Sequence, residues 1–149
     1  MSETSLTQAE ADALIRLPKK KTGNENWSYP PLGGSIAIPL ISVDKREEFI
    51  LDISRGQINL VRGKYQNRAR HIFVLARLDF GGSPHRNPDG SEILCPHLHL
   101  YREGYGDKWA YPVPVDEFPN ISNPVTALYD FMKYCNIVDV PSIQTGLFV

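Results

Sequence analysis

Three of the four histidines of the chain lie in residues 77–109, a stretch that also carries arginines, aspartates and tyrosines. At its centre, residues 96–101 read Pro-His-Leu-His-Leu-Tyr, so that polar and aliphatic side chains alternate. Such alternation is typical of a half-buried strand, on which residues two apart point to the same face. We therefore predict that His97, His99 and Tyr101 share one face of a strand.

These residue types suit metal-independent cleavage of RNA. The reaction needs a base near the ribose 2′-hydroxyl, an acid near the leaving oxygen, and cations for the charged phosphorane. Histidine can fill both proton-transfer roles because its reference pKa is roughly 6.5. We expect His97 and His99 to form the acid–base pair, with His85 and Tyr101 as auxiliaries. Asp79 is expected to orient an imidazole, and no cofactor is expected.

Basic side chains in and before this stretch are expected to hold phosphate, since guanidinium groups bind phosphate oxygens in pairs. Those of the stretch are Arg77, Arg86, Arg102 and Lys108. An earlier basic segment with Arg62, Lys64, Arg68 and Arg70 is also capable of contacting phosphate, and Arg68 and Arg70 are taken as substrate-binding residues.

The same histidines have two other interpretations. They could lie on a polar strand face where they only make hydrogen bonds. His-x-His on a strand is also workable metal-ligand spacing, which His85 or Asp107 could complete. The chain has neither a His-Glu-x-x-His motif nor a Cys-x-x-Cys pair, so a metal site ranks behind RNA cleavage.

Length, charge and cysteine content favour one cytosolic domain. A chain of 149 residues with 42% hydrophobic content can build one compact core. Its net charge of −1 gives no global field for binding nucleic acid or membranes, so such contacts must be local. The N-terminus lacks the apolar core of a signal peptide, and no segment is long and apolar enough for a membrane span. Cys95 and Cys135 form no disulfide or zinc pattern, and we expect a cytoplasmic protein.

Hydrophobic periodicity predicts the elements that position these residues. Thr7 and Glu10 form a capping-box pattern before a helix over 7–17, and Asn123 with Pro124 opens a helix over 124–136. Strands are predicted at about 35–43, 48–54, 57–64, 70–80, 93–102 and 109–113. Residues 19–21 read as a solvated lysine run before a long loop. The expected fold is a single α+β domain, with an antiparallel sheet of about five strands and a helix near each terminus.

The strands predicted at 70–80 and 93–102 are expected to be neighbours. Matching their apolar faces then places Arg77 and Asp79 beside His97, His99 and Tyr101 on the opposite face.

The residues of this stretch also resemble a known family. Arg77-Leu78-Asp79, Pro84-His85, Pro88-Asp89 and Pro96-His97-Leu98-His99 stand in an order similar to that of the TumE-like toxins of bacterial toxin–antitoxin pairs. The resemblance implies a small cytosolic α+β protein that inhibits translation as an RNase and is neutralised by an antitoxin. It carries site roles to Asp79, His85, His97 and His99. The chain departs from the family in its N-terminal helix and loop and in lacking a run of adjacent histidines.

Two function classes follow. The first is a toxin-like protein that acts on RNA and has an antitoxin or another protein as its partner. The second is a non-catalytic phage or mobile-element protein that engages a partner through aromatic and basic loops. Residues 101–109, Tyr-Arg-Glu-Gly-Tyr-Gly-Asp-Lys-Trp, also resemble a segment of an uncharacterised prokaryotic or phage family that implies no activity.

Overall fold

A large β-sheet is the central element of the computed structural model, which describes residues 5–57 and 62–146. In chain order the strands are β1 (Lys19–Lys21), β2 (Asn26–Ser28), β3 (Ser35–Ser42), β4 (Glu48–Arg55), β5 (Gly63–Ala69), β6 (Phe73–Phe80), β7 (His85–Arg86), β8 (Glu92–Ile93), β9 (His97–Leu100), β10 (Ala110–Pro112), β11 (Ile137–Asp139) and β12 (Ser142–Gln144). The helices are α1 (Gln8–Arg16) and α2 (Pro124–Tyr134).

The main sheet has eight strands in the order β10-β9-β6-β5-β4-β3-β1-β11. Its neighbours run antiparallel except β1 and β11, which are parallel. Two further pairs, β12 with β2 and β7 with β8, form small sheets of their own. The expected α+β fold with about five antiparallel strands is therefore wrong. The described chain is mostly sheet, and its main sheet is larger and mixed.

The strands that sequence reasoning missed are short and pair with distant parts of the chain. β1, β2, β11 and β12 have three residues each. β1 pairs with β11, so Lys19 stands opposite Ile137. A three-residue segment has too few positions to show alternation, and its partner lies more than a hundred residues away. The predicted solvated lysine run is thus a strand of the sheet.

Both predicted helices are confirmed to within about two residues. Thr7 Oγ1 accepts from the Glu10 backbone N–H at 3.1 Å, and Glu10 Oε1 accepts from the Thr7 N–H at 2.9 Å. Asn123 Oδ1 accepts the free N–H groups at the start of α2. These caps satisfy donors that a helix start would otherwise leave unpaired. Neither helix is long and apolar enough to cross a membrane, a finding limited to the described residues.

The predicted strands 35–43, 48–54 and 109–113 match β3, β4 and β10 closely. The strand predicted at 57–64 falls largely on residues 58–61, which lie outside the described residues, and β5 begins at Gly63. The strand predicted at 70–80 begins later, because Arg70 and His71 have positive φ values of 53° and 68° in the turn before β6. The strand predicted at 93–102 is divided between β8 and β9 by the cis peptide bond before Pro96.

One face of the main sheet carries the hydrophobic core. Tyr65, Leu78 and Leu98 lie on this face and are almost fully buried. α2 packs over it, with the Phe131 ring 6.2 Å from that of Tyr65. The opposite face carries polar side chains, among them exposed Lys64 of β5 and buried His99 of β9.

Candidate functional site

The sheet register lines up polar residues from three strands on the face opposite the core. Lys64 of β5 stands opposite Asp79 of β6, which in turn stands opposite His97 of β9. The adjacent row runs through Arg77 and His99. Opposed residues of an antiparallel pair share a face. The predicted common face of Arg77, Asp79, His97 and His99 is therefore confirmed.

Three imidazole rings gather at this face. The ring centroid of His99 lies 5.0 Å from that of His97 and 4.6 Å from that of His85, which β7 brings in from the loop above. His97 and His99 are only 2% and 1% exposed. His85 is partly exposed and donates from Nε2 to the Lys108 carbonyl at 2.7 Å.

Backbone carbonyls fix the orientation of the two buried histidines. His99 Nδ1 donates to the Asp107 carbonyl at 2.8 Å, and His97 Nδ1 lies 3.3 Å from the Leu94 carbonyl. A carbonyl oxygen only accepts hydrogen bonds, so each Nδ1 carries the hydrogen and each neutral ring keeps a lone pair on Nε2. Burial lowers the pKa of His97 despite the nearby Asp79 carboxylate, which favours the neutral ring at neutral pH.

Both Nε2 atoms are directed toward Asp79. Its Oδ2 lies 3.5 Å from His97 Nε2 and 3.6 Å from His99 Nε2. Burial alone would raise the pKa of this carboxyl group, but the charge and the hydrogen bonds of the Arg77 guanidinium oppose burial, and the pKa is lowered to about 2. Asp79 is therefore ionised at neutral pH.

Arg77 donates hydrogen bonds to the Asp79 carboxylate and to the His99 imidazole. Its Nε donates to Asp79 Oδ1 at 2.9 Å, and its Nη1 donates to Asp107 Oδ2 at 2.8 Å. Its Nη2 donates to His99 Nε2 at 3.0 Å. Four of its five N–H donors thus have protein acceptors, which favours a positioning role, and the substrate-binding role of Arg77 stays a prediction.

Asp79, His97 and His99 are also the residues that could hold a metal ion. One potential ligand atom from each lies within 4.8 Å of the other two. Asp107, which was considered as a further ligand, instead accepts from Arg77 and His99.

The group of Asp79, His85, His97 and His99 borders a cavity of about 570 Å³. Asp79, His85 and His97 line it, whereas His99 does not. Cationic side chains also line this cavity, namely Arg55, Arg62 and Lys64. Across the described ranges, neither Arg62 nor Lys64 has an ion-pair partner. The cavity therefore combines histidine and carboxylate chemistry with positive charge.

The other basic residues predicted to bind substrate lie outside this cavity. They are Arg68, Arg70, Arg86, Arg102 and Lys108, all within the described part of the chain. Arg68 is 2.7 Å from Asp52, Arg70 is 2.9 Å from Glu47, and Arg86 is 3.7 Å from Glu92. The Arg102 guanidinium lies 4.1 Å from the Trp109 ring centroid. Lys108 contributes its backbone carbonyl to His85.

Tyr101 has a structural contact in place of the predicted catalytic one. Its hydroxyl accepts from the Leu6 N–H at 2.7 Å and donates to the Leu6 carbonyl at 3.0 Å. The prediction rested on the two-residue alternation of a strand, but β9 ends at Leu100 and Tyr101 lies beyond it, among the core residues.

Among the cationic residues of the cavity, Arg55 was not predicted from the sequence. Arg62 and Lys64 were predicted only as parts of a basic segment. Their place follows from sheet register, which a single sequence does not determine. A useful signal was available at Lys64, because a charged residue alternating with buried Gly63 and Tyr65 must face away from the core.

Comparison with known proteins gives one match. Residues 6–137 match the model of a family of unknown function, DUF6978. No curated protein and no solved structure matches the chain. The match supports the expectation of an uncharacterised family and shows no link to the TumE-like toxins, so that resemblance stays a proposal. The family match covers most of the chain, which therefore belongs to the DUF6978 family of unknown function.

Proposed function

We propose that this protein cleaves phosphodiester bonds of RNA in the cavity beside Asp79, His85 and His97. The observation that carries the proposal is that histidines and a carboxylate share this cavity with Arg55, Arg62 and Lys64. Pockets that combine a few converging polar groups with oriented charge are the usual place for catalysis.

The charge of the cavity suits a phosphate group. Asp79 is the carboxylate in the cavity lining, and its charge is already neutralised by Arg77, which does not itself line the cavity. Lys64 and Arg62 are left to attract an anion, and ammonium and guanidinium groups both bind phosphate oxygens. A phosphodiester entering the cavity would come to lie between these cations and His97.

Ribose supplies the nucleophile in the proposed reaction. The 2′-hydroxyl gives up its proton, its oxygen forms a bond to phosphorus, and the bond from phosphorus to the 5′ oxygen breaks. The 5′ oxygen leaves with a proton taken from water, and the hydroxide that remains takes up the proton that left the 2′-hydroxyl, so atoms and charge balance. His97 and His85 line the part of the cavity where the phosphate reacts in this scheme, while His99 acts as a positioning residue because it does not line the cavity.

RNA cleavage by the purified chain tests the proposal. A labelled single-stranded oligoribonucleotide should be cut, and a DNA strand of the same base sequence should stay intact because it lacks the 2′-hydroxyl. His97→Ala should slow cleavage at least about 100-fold. His71→Ala removes an exposed histidine of the turn before β6 and is the matched control. Intact RNA after incubation with wild type, or full activity in His97→Ala, would contradict the proposal.

A toxin-like role is the corresponding proposal for the cell. Expression of the wild type should arrest growth, and His97→Ala should abolish the arrest while His71→Ala preserves it. A small partner protein that covers the cavity would act as an antitoxin and restore growth when produced with the wild type. Arrest that is equally strong with His97→Ala would remove this role.

Partner binding without catalysis is the second candidate function. It is favoured by exposed Arg102 and Tyr105, which pack with Trp109 in the loop between β9 and β10. Arg and aromatic side chains are frequent anchors of protein interfaces. If this candidate holds, Tyr105→Ala abolishes the cellular effect and His97→Ala leaves it intact.

A further inference from the structure

We propose that Asp79, His97 and His99 bind one divalent transition-metal ion, for which Zn²⁺ is the probe. The binding claim stands by itself. The role that we assign to the metal in catalysis rests on the proposed RNA cleavage.

The distances between the potential ligand atoms support the site. Asp79 Oδ2 lies 3.5 Å from His97 Nε2 and 3.6 Å from His99 Nε2. These separations are too long for good hydrogen bonds. Zinc bonds of about 2.1 Å in a tetrahedron separate neighbouring ligand atoms by about 3.4 Å. The two measured separations therefore fit shared coordination better than direct contact.

The outer contacts of the three ligands also fit a metal site. Metal-binding histidines usually donate their second ring N–H to a carbonyl or carboxylate, which fixes the tautomer and the ring orientation. His99 donates to the Asp107 carbonyl at 2.8 Å, and His97 is held more loosely by the Leu94 carbonyl at 3.3 Å. The other carboxylate oxygen of Asp79, Oδ1, accepts from Arg77 Nε at 2.9 Å. Each ligand thus has a partner that directs its proposed metal-binding atom toward the other two.

Arg77 is the competitor for this position. Its Nη2 donates to His99 Nε2 at 3.0 Å and to Asp79 Oδ2 at 3.3 Å. A bound metal replaces these two contacts, so Arg77 must shift. The Arg77 contacts to Asp79 Oδ1 and Asp107 Oδ2 use Nε and Nη1 and do not involve the atoms that bind the metal. The guanidinium occupies part of the site when no metal is present.

Three protein ligands leave an open coordination position. Asp79 and His97 line the cavity, so this position faces the proposed phosphate site. A metal there would lower the pKa of a water bound at this position. The resulting bound hydroxide takes the proton of the ribose 2′-hydroxyl and becomes water, with no change in the oxidation state of the metal.

Zinc titration of the purified full chain tests the site. The protein is stripped with EDTA, the chelator is removed, and binding of Zn²⁺ is followed by isothermal titration calorimetry. We expect one ion per chain and at least about 100-fold weaker binding by His97→Ala, His99→Ala and the isosteric Asp79→Asn. His71→Ala and His85→Ala should bind as the wild type does. Thermal unfolding curves confirm that each variant is folded.

A spectroscopic readout separates this site from adventitious binding. Co²⁺ in place of Zn²⁺ should give the intense visible absorption of tetrahedral cobalt in wild type and in His85→Ala, and lose it in His99→Ala. Two histidines and a carboxylate also suit ferrous iron. Metal analysis of protein purified without chelators shows which ion is taken up.

The outcomes for the site and for the proposed function are distinguishable. Absence of zinc binding by the wild type, or wild-type binding by both His99→Ala and Asp79→Asn, overturns the site. Zinc binding without any RNA cleavage leaves the site standing and overturns the proposed function. RNA cleavage that is equally fast in stripped protein overturns the catalytic role of the metal and favours the metal-independent reaction expected from the sequence.

Discussion

Two buried polar groups of this protein differ in how completely their hydrogen bonds are satisfied. Lys19 is fully buried, and its ammonium donates to the carbonyls of Ile15, Leu17 and Cys135 at 2.8, 3.0 and 2.7 Å. An ammonium has three donors, so each has an acceptor. His97 is nearly as buried, yet its Nε2 stays 3.5 Å from Asp79 and faces a cavity.

The difference teaches which buried polar residues maintain the fold and which are free to act. Lys19 joins the end of α1 to the turn after α2, so its hydrogen bonds hold the two ends of the chain together. The sheet face of Asp79, His97 and His99, here called the histidine face, presents nitrogen and oxygen atoms that can accept a hydrogen bond from a ligand or coordinate a metal. We therefore expect Lys19 variants to lose stability and variants of the histidine face to lose activity.

Replacing Lys19 with methionine should give the largest loss of stability. Lys19→Met removes the ammonium and leaves three carbonyls without their donor, which should lower the free energy of unfolding by about 3 kcal/mol. Urea unfolding measures the change. Lys20→Met, at the half-buried neighbouring position, is the control and should shift it by less than about 1 kcal/mol. A Lys19→Met protein as stable as wild type would contradict the expectation that the Lys19 hydrogen bonds maintain the fold.

Removing the Tyr101 hydroxyl should lower stability by a smaller amount and spare cleavage. Tyr101→Phe loses both hydrogen bonds to Leu6, which should lower the free energy of unfolding by about 2 kcal/mol. RNA cleavage by the folded variant should equal that of wild type. A large loss of cleavage at unchanged stability would instead support the catalytic role predicted from the sequence.

Removing one cavity cation should weaken substrate binding. Lys64→Ala should raise KM for RNA about tenfold, because one phosphate contact is lost, and should reduce the dependence of KM on salt. Arg70→Ala, whose side chain is paired with Glu47 outside the cavity, is the matched control and should leave KM unchanged. Equal effects of the two variants would place the phosphate site elsewhere.

The pH dependence of stability should report the burial of Lys19. Burial lowers the pKa of Lys19 to about 8 from its ordinary 10.5. Between these values the unfolded chain binds the proton and the folded chain does not, so stability rises with pH. The advantage of wild type over Lys19→Met should grow by about 1 kcal/mol from pH 8 to pH 9. A constant difference over this range would show that the ammonium stays charged.

Local patterns predicted much of this structure, and long-range pairing explains most of the failures. The capping patterns at Thr7 and Asn123 fixed both helix starts, because caps depend on residues close in sequence. Alternation along β6 and β9 brought Asp79 and His97 to one face. The size of the sheet could not be predicted, since β1 and β11 pair across more than a hundred residues. Tyr101 lies beyond the end of β9, and the position of Arg55 in the cavity depends on strand register.

RNA cleavage by stripped and zinc-reloaded protein tests the central claim most directly. Wild-type protein freed of metal with EDTA should cut a labelled oligoribonucleotide slowly, and one equivalent of Zn²⁺ should restore cleavage at least about 100-fold. His99→Ala should show no restoration, although His99 does not line the cavity. Intact RNA in both forms of the wild type would contradict the account of the histidine face as a catalytic site.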